Sequence, residues 1–171
     1  MVSRSTTELL RGRLALPTAS ALRGTWGEDQ VCKLVACPVC QRKDLKKLPS
    51  GFPSLDVICR NCGAYMAQVK THRVRPLRLT DRPNTIPGSG WRPLQTQIRV
   101  GQLRDMYVVG VEATTPELTL QWIDLIPGNA LYANSQIYVP HVLNRGTGYP
   151  MFNIDFRLLP QACRIAVYER P

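Results

Sequence analysis

The stretch "SLDVICRNCGAYMAQVK", residues 54–70, contains a Cys-x2-Cys pair between two segments that have the composition of short strands. An earlier pair, "CPVC" at residues 37–40, precedes it, and eighteen residues separate the two pairs. Two such pairs at this separation are typical of a site in which four sulfur atoms converge on one point. The stretch therefore predicts a β-hairpin whose tip is held by the second cysteine pair.

The two cysteine pairs predict a structural zinc site. Their spacing lies in the range of four-thiolate sites, and four thiolates complete the tetrahedron that zinc prefers. A site without an open ligand position stabilises the fold and does not catalyse a reaction. The alternative is two unrelated cysteine pairs in a reduced core. The other two cysteines, Cys32 and Cys163, stand alone and are expected to be small buried apolar residues. The predicted zinc ligands are Cys37, Cys40, Cys59 and Cys62.

The same hairpin predicts a cluster of polar side chains. If residues equally distant from Cys62 pair with each other, Asp56 lies opposite Gln68, and strand alternation places Lys70 on the side of Gln68. Oxygen atoms of Asp56 and Gln68, with the backbone carbonyl of Val69, are ligands that Mg²⁺ accepts. Lys70 beside them would orient or help to deprotonate an attacking water. The alternative is an exposed aspartate and a solvated lysine on an ordinary hairpin.

The charge of the chain is unevenly distributed. The 171 residues carry a formal net charge of +10. Residues 1–104 hold 18 Lys and Arg against 6 Asp and Glu, whereas residues 105–171 hold 4 against 6. Such an excess favours a polyanionic partner, above all nucleic acid, and the alternative is a solvated basic surface. No apolar run approaches the roughly 20 residues of a membrane span, and reduced thiols fit a cytoplasmic location.

Periodicity predicts an N-terminal arm at residues 1–17 and one α/β domain at residues 18–171, with the zinc ribbon at residues 37–62. The domain is predicted to hold a mixed central sheet flanked by helices. Its later strand candidates are "MYVVGVEA", "LTLQWIDLI", "SQIYVPHVL", "FNIDFRLL" and "CRIAVYE".

Two helices and a loop complete this outline. The first helix is expected over about residues 18–35, with Leu22, Trp26 and Val31 on its apolar face. The second is expected over residues 93–104. The segment between the hairpin and the second helix, residues 72–90, is rich in Arg and Pro and predicts a long loop.

In this combination the sequence resembles the PD-(D/E)xK nucleases, and more narrowly the catalytic domain of the DpnI-type restriction endonucleases. The similar segments are "GEDQV", "CPVC", "PSLDVICRNC" and "QVK", followed more weakly by "YVVGVEA", "TLQWIDLIP" and "FNIDF". The resemblance implies a restriction-endonuclease-like fold with an embedded zinc ribbon. It also implies structural Zn²⁺, catalytic Mg²⁺ or Mn²⁺, and hydrolysis of phosphodiester bonds in DNA.

The resemblance assigns roles to individual residues. Asp56 matches the first metal-binding acid, with Pro53 at the place of the proline that precedes it. Lys70 matches the catalytic lysine. Gln68 occupies the place of the second acid, and Glu28 matches a first-helix glutamate that binds or positions metal.

The sequence departs from the family pattern in three respects. A glutamine at position 68 gives a metal less negative charge than a glutamate would. The interval from Asp56 is one residue longer than the family pattern, so Ala67 fills the acid's place unless a one-residue bulge restores Gln68. A winged-helix domain has no counterpart before Pro171, so we do not extend methylation dependence to this chain.

The sequence thus predicts a metal-dependent DNA endonuclease. The alternatives are a non-catalytic zinc-ribbon DNA-binding or adaptor protein, and a nuclease subunit that is active only with a DNA-recognition partner. A homodimer would suit double-strand cleavage. The basic loop directly after Lys70 is expected to grip the DNA backbone. Its predicted DNA contacts are Arg73, Arg75, Arg78 and Arg82.

Overall fold

The computed structural model describes residues 19–49, 52, 55–76, 78–114, 117–141 and 150–171. The predicted arm at residues 1–17 and the residue Pro53 lie outside these ranges. The helices and strands in chain order are α1 (Ala19–Leu34), β1 (Leu45–Lys47), β2 (Val57–Cys59), β3 (Met66–Val74), β4 (Thr85–Gly90), α2 (Trp91–Arg99), β5 (Asp105–Thr114), β6 (Glu117–Ile126), α3 (Gly128–Ala133), β7 (Tyr138–His141), β8 (Met151–Asp155) and β9 (Ile165–Glu169).

The central sheet has six strands in the order β1-β2-β3-β5-β6-β9. Strands β1, β2 and β3 are antiparallel, β3 pairs in parallel with β5, and β5, β6 and β9 are antiparallel. The prediction of a mixed α/β domain with a mixed central sheet is therefore confirmed. Strands β4, β8 and β7 form a second, antiparallel sheet of three strands.

The central sheet separates two apolar cores. Alternation along β3 turns Ala67 and Val69 towards the core that α1 covers, and turns Val74 towards the core under the second sheet. Helices α2 and α3 contribute Leu94 and Leu131 to this second core. Helices therefore lie on both faces of the central sheet, as expected, and on the second face they share the core with the three-stranded sheet, which was not predicted.

Helix α1 is confirmed, and Trp26 and Val31 of its predicted apolar face pack on the first core, whereas Leu22 does not. Its buried residues are Gly27 and Val31, and Trp26 packs partly against the first core. Leu22, predicted on the apolar face, is 54% exposed. The difference arises because the contact with the sheet involves the later turns of the helix and not the first.

The region between the hairpin and α2 holds more strand than predicted. Strand β3 continues to Val74 and β4 occupies the end of the expected loop, because both find partners distant in sequence, β5 and β8. Helix α2 ends at Arg99 and not at Arg104. Gly101, at a φ of +65°, ends it, with its N–H bound to the Ile98 carbonyl and the Gln102 N–H bound to the Gln97 carbonyl.

Strand β5 lies at the centre of the sheet, between β3 and β6. It is buried from Met106 to Val111, as its continuous apolar run predicts for a strand covered on both faces. Among the helices of the described ranges, none has both the length and the apolar composition needed to cross a membrane.

Candidate functional site

The four cysteines of the two pairs converge beside the β2–β3 hairpin. Their sulfur atoms all lie within 4.8 Å of one another, with Sγ–Sγ distances of 3.8 Å for Cys37–Cys62 and 3.6 Å for Cys40–Cys59. Ligands at about 2.3 Å from a tetrahedral zinc lie about 3.8 Å apart. The cluster is therefore compatible with a structural zinc. Within the described ranges it is the one group of three or more His, Cys, Asp or Glu side chains placed to hold a metal ion.

The two cysteine pairs share one turn geometry. Gln41 and Gly63, which follow Cys40 and Cys62, have φ angles of 60° and 63°. Each donates its backbone N–H to the carbonyl of the first cysteine of its pair, at 2.8 and 2.9 Å. The backbone N–H of Arg42 is the largest cause that lowers the pKa of Cys40 to about 7. The pKa of Cys62 is lowered too, chiefly by the backbone N–H of Ala64, whereas burial and the neighbouring cysteines raise the pKa of Cys59. The thiolate, the form that binds zinc, is thus favoured at Cys40 and Cys62.

The two remaining cysteines do not belong to this cluster. Cys32 lies on α1 and Cys163 lies near the C-terminus. Both were predicted to be buried, and both are only partly buried. Burial raises the pKa of the Cys32 thiol to about 11. Cys32 is thus a protonated thiol, and it offers a natural control for the zinc ligands.

Asp56 lies where β2 and β3 separate. Its Oδ2 accepts the backbone N–H of Val69 at 2.7 Å. Because the N–H and C=O of one strand residue point to the same edge, the Val69 carbonyl also faces the side of Asp56. The Oδ1 atom of Asp56 accepts no hydrogen bond from the described residues. Asp56 thus presents a free carboxylate oxygen beside a strand carbonyl.

The hairpin register agrees with the prediction near its tip. Val57 pairs with Ala67 and Ile58 pairs with Met66, so the register carried one step further places Asp56 opposite Gln68. The Asp56 N–H, however, donates to the Ala67 carbonyl at 3.0 Å. Asp56 and Val57 therefore both lie against Ala67, in the manner of a β-bulge. Ala67 itself is fully buried in the first core.

Glu28 and Lys70 lie on opposite faces of the sheet, and the Asp56 carboxylate affects the pKa of both. Glu28 belongs to α1, where burial raises its pKa and the Asp56 carboxylate raises it further, against the effect of Lys47. Lys70 lies on the other face of β3, where burial lowers its pKa and the Asp56 carboxylate opposes this shift. Within the described ranges neither side chain forms an ion pair or a hydrogen bond. Glu28 and Asp56 are therefore two acids near each other that form no ion pair with the described residues.

Gln68 is on the face of Lys70, as predicted, but it faces α2. It lines a small cavity with Leu94 and Gln97 of α2, with Arg104, and with Tyr138 of β7. No hydrogen bond joins Gln68 to Asp56 in the described part of the chain. The sequence did not predict Gln97 and Arg104 as neighbours of Gln68. Only the packing of α2 and of the segment after it brings them to the same cavity.

Three of the four arginines predicted to contact DNA are exposed. Arg73, Arg75 and Arg78 follow the middle of β3 and project into solvent. The Arg73 guanidinium donates one bond to the Ala113 carbonyl, and Arg78 lies 3.7 Å from Asp81 with both side chains more than half exposed. Exposed pairs of this kind are weak, so these cations are free to meet an external anion.

Arg82 instead belongs to an internal network. Its guanidinium binds both carboxylate oxygens of Asp124, at 2.7 and 3.0 Å, and lies 4.2 Å above the ring of Trp122. It also donates to Glu169 at 2.8 Å and to the Thr80 carbonyl at 2.9 Å. Four of its five N–H groups are thus bound within the protein. Arg82 therefore has a structural role, and the prediction that it contacts a DNA phosphate does not fit its position.

We expect Asp124→Ala to destabilise the fold by about 3 kcal/mol, because it leaves the Arg82 guanidinium without its main partner in a largely buried site. The Asp124 side chain is 6% exposed and that of Arg82 is 22% exposed. Urea unfolding measures the difference. The matched control is Asp81→Ala, whose partner Arg78 is 66% exposed, and it should cost less than about 1 kcal/mol. Equal losses in the two variants would contradict the structural role of Arg82.

Comparison of the sequence with models of known protein families finds no match. A search of curated proteins finds no match either. The geometry around Asp56 and the cysteine cluster therefore carries the functional assignment.

Proposed function

We propose that this protein is a metal-dependent DNA endonuclease of the PD-(D/E)xK type, which hydrolyses phosphodiester bonds. The observation that carries the proposal is the position of Asp56, which bonds to β3 through its N–H and its carboxylate where β2 begins, and whose charge affects the pKa of both Glu28 and the partly buried Lys70. The mixed central sheet and the cysteine cluster in the hairpin also support it.

The residues around Asp56 fit a divalent cation. Burial and, after it, the neighbouring Asp56 carboxylate raise the pKa of Glu28, and a bound cation would offset both costs of holding the two charges there. Asp56, Glu28 and the Val69 carbonyl offer oxygen ligands of the kind that Mg²⁺ and Mn²⁺ accept. When bound, the ion would stabilise the negative charge that develops on the scissile phosphate.

Lys70 supplies the proton chemistry in this proposal. Burial lowers the pKa of its ammonium group, which increases the fraction of neutral amine at physiological pH. A neutral amine can accept the proton of an attacking water, and the ammonium form can stabilise an anionic phosphate oxygen. Lys70 shares the face of Gln68, so in this proposal it would meet the attacking water or the phosphate from that face of the sheet.

One observation favours the alternative of a DNA-binding or adaptor protein. Gln68 stands where the resemblance places the second acid, yet it lines the cavity beneath α2. The Gln68 amide is neutral, and from this position it would not serve as the second acid that the resemblance expects. In this alternative Asp56 acts only as the acceptor for the Val69 N–H and closes the gap between β2 and β3.

Incubation of the purified protein with supercoiled plasmid tests the two functions. The nuclease should nick or linearise the plasmid with Mg²⁺ or Mn²⁺, and not without added divalent ions. Plasmid that stays intact under all conditions, while a gel-shift assay shows DNA binding, would support the adaptor function. A nuclease subunit would cut only after its DNA-recognition partner is added.

We further expect Glu28→Gln to raise the melting temperature at pH 7.5 in the absence of divalent ions. An acid whose folded pKa is raised destabilises the fold once it ionises, and this cost is absent below its unfolded pKa of about 4.5. The gain should therefore shrink as the pH falls from 7.5 towards 5. Both proteins keep the same cysteines, so acid effects at the cluster cancel in the comparison.

Scanning fluorimetry of the two proteins with and without Mg²⁺ measures this effect. Mg²⁺ should stabilise the wild type more than Glu28→Gln. Glu117→Gln, an exposed change far along the chain, is the matched control and should behave like the wild type. A Glu28→Gln protein that melts below the wild type at pH 7.5 would contradict the cost that burial and Asp56 together impose on the ionised Glu28.

A further inference from the structure

The outer face of the zinc ribbon carries cations on the same side of the sheet as Lys70. In the pairing of β1 with β2, Leu45 lies opposite Cys59 and both are buried in the first core. Alternation then turns their strand neighbours Lys46 and Arg60 to the other face. The Arg60 N–H donates to the carbonyl of Asp44 at 3.0 Å, so the pairing continues to this residue.

This face continues without interruption to the candidate site. Ile58 pairs with Lys46 on β1 and with Met66 on β3, and both apolar side chains are partly buried. Gln68 and Lys70 follow Met66 on the same face of β3. Adjacent strands lie about 4.8 Å apart, so the backbone at Lys46 is about 10 Å from β3.

The two faces of β1 differ in how their lysines are used. Lys47 points towards α1 and pairs with Asp29 at 2.7 Å. Lys46 and Arg60 are exposed and, within the described ranges, their side chains make no ion pair or hydrogen bond. Arg104 is likewise exposed, and it lines the cavity that contains Gln68. Three unpaired cations therefore lie around the polar face of the candidate site.

We propose that Lys46, Arg60 and Arg104 form a phosphate-binding surface, here called the ribbon surface, for duplex DNA that enters the candidate site. The proposal rests on the proposed function for the identity of its partner. Phosphates on one DNA strand advance about 3.4 Å per base pair along the helix axis. The Leu48 N–H donates to the Asp56 carbonyl at 2.8 Å, so Lys46 lies on the strand beside Asp56 and would contact a phosphate within a few base pairs of the one at Asp56.

The zinc cluster gives this surface its rigidity. Arg60 lies within the second cysteine pair, and β1 follows the first pair. The cluster thus fixes the position of both cations relative to β3, which carries Lys70. Because the backbone that carries these cations is already fixed, little loop entropy is lost when the DNA binds.

Fluorescence anisotropy with a labelled DNA duplex, without added divalent metal, tests the ribbon surface. The double variant Lys46→Ala/Arg60→Ala should bind more weakly, and the slope of log affinity against log salt should decrease in magnitude by about 2. The control is Lys33→Ala/Lys47→Ala, which removes two cations from the α1 side of the sheet. Its slope should stay close to that of the wild type.

The outcomes separate this surface from the nuclease proposal. Equal losses of affinity in the two double variants, or none in the ribbon variant, would overturn the surface even if the wild type cuts plasmid. A selective loss in the ribbon variant supports it even if no cleavage is found. Vesicles with anionic lipids form the second arm, and binding to vesicles but not to DNA would also overturn the proposal.

Discussion

A Cys59→Ser variant is expected to lose its zinc and to unfold throughout the domain. Structural zinc contributes about 10–16 kcal/mol of binding free energy, whereas whole domains are stable by only about 5–15 kcal/mol. Cys59 ends β2 and is fully buried in the first core. Loss of the cluster would therefore release β2 and the start of β3, and with them one side of the central sheet.

The comparison with Cys32→Ser makes this result specific. Cys32 is partly buried on α1 and lies outside the cluster, so its replacement should keep the zinc and cost about 1 kcal/mol. Zinc per chain by mass spectrometry and thermal unfolding by circular dichroism measure both effects. A Cys59→Ser protein that keeps one zinc and melts near the wild-type temperature would contradict the four-thiolate site.

Asp56→Asn is expected to keep the fold and to lose plasmid cleavage by about 100-fold or more. The amide oxygen of asparagine can still accept the Val69 N–H, so the structural role of this side chain is preserved. The negative charge that would hold a cation is lost. Burial would still raise the pKa of Glu28, but the smaller contribution of the Asp56 charge is lost, so the variant should be at least as stable as the wild type.

Lys70→Met extends the test to the other face of the sheet. Methionine replaces the aliphatic part of the lysine with a chain of similar length and removes the partly buried amine. The variant should therefore also lose cleavage, without loss of stability. The control Glu117→Gln should cut like the wild type. Cleavage by Asp56→Asn at the wild-type rate would leave Asp56 as a purely structural residue and would refute the active site proposed around it.

The local features of the fold were predictable because neighbouring residues decide them. The spacing of the two cysteine pairs predicted the metal-binding cluster, and the hairpin between Ile58 and Met66 has the expected register. The apolar run of β5 predicted a central strand. In each case the signal lies within a few residues of the feature, either in a turn or in the pattern of one strand.

The second sheet was not predictable in the same way. Strand β4 lies in a segment rich in Pro and Gly, and it becomes a strand only because β8, far along the chain, offers it partners. The exposure of Leu22 likewise depends on which turns of α1 reach the sheet. Such outcomes depend on packing between distant segments, which overrides local propensity.

By itself the sequence determined the cysteine cluster, the hairpin and the common face of Gln68 and Lys70, because ligand spacing and strand alternation act at short range. Only the tertiary structure decided that Glu28 shares the surroundings of Asp56, that Gln68 faces α2, and that Arg82 pairs with Asp124. The physical reason is that each of these contacts joins elements whose separation in space is set by the packing of whole sheets and helices.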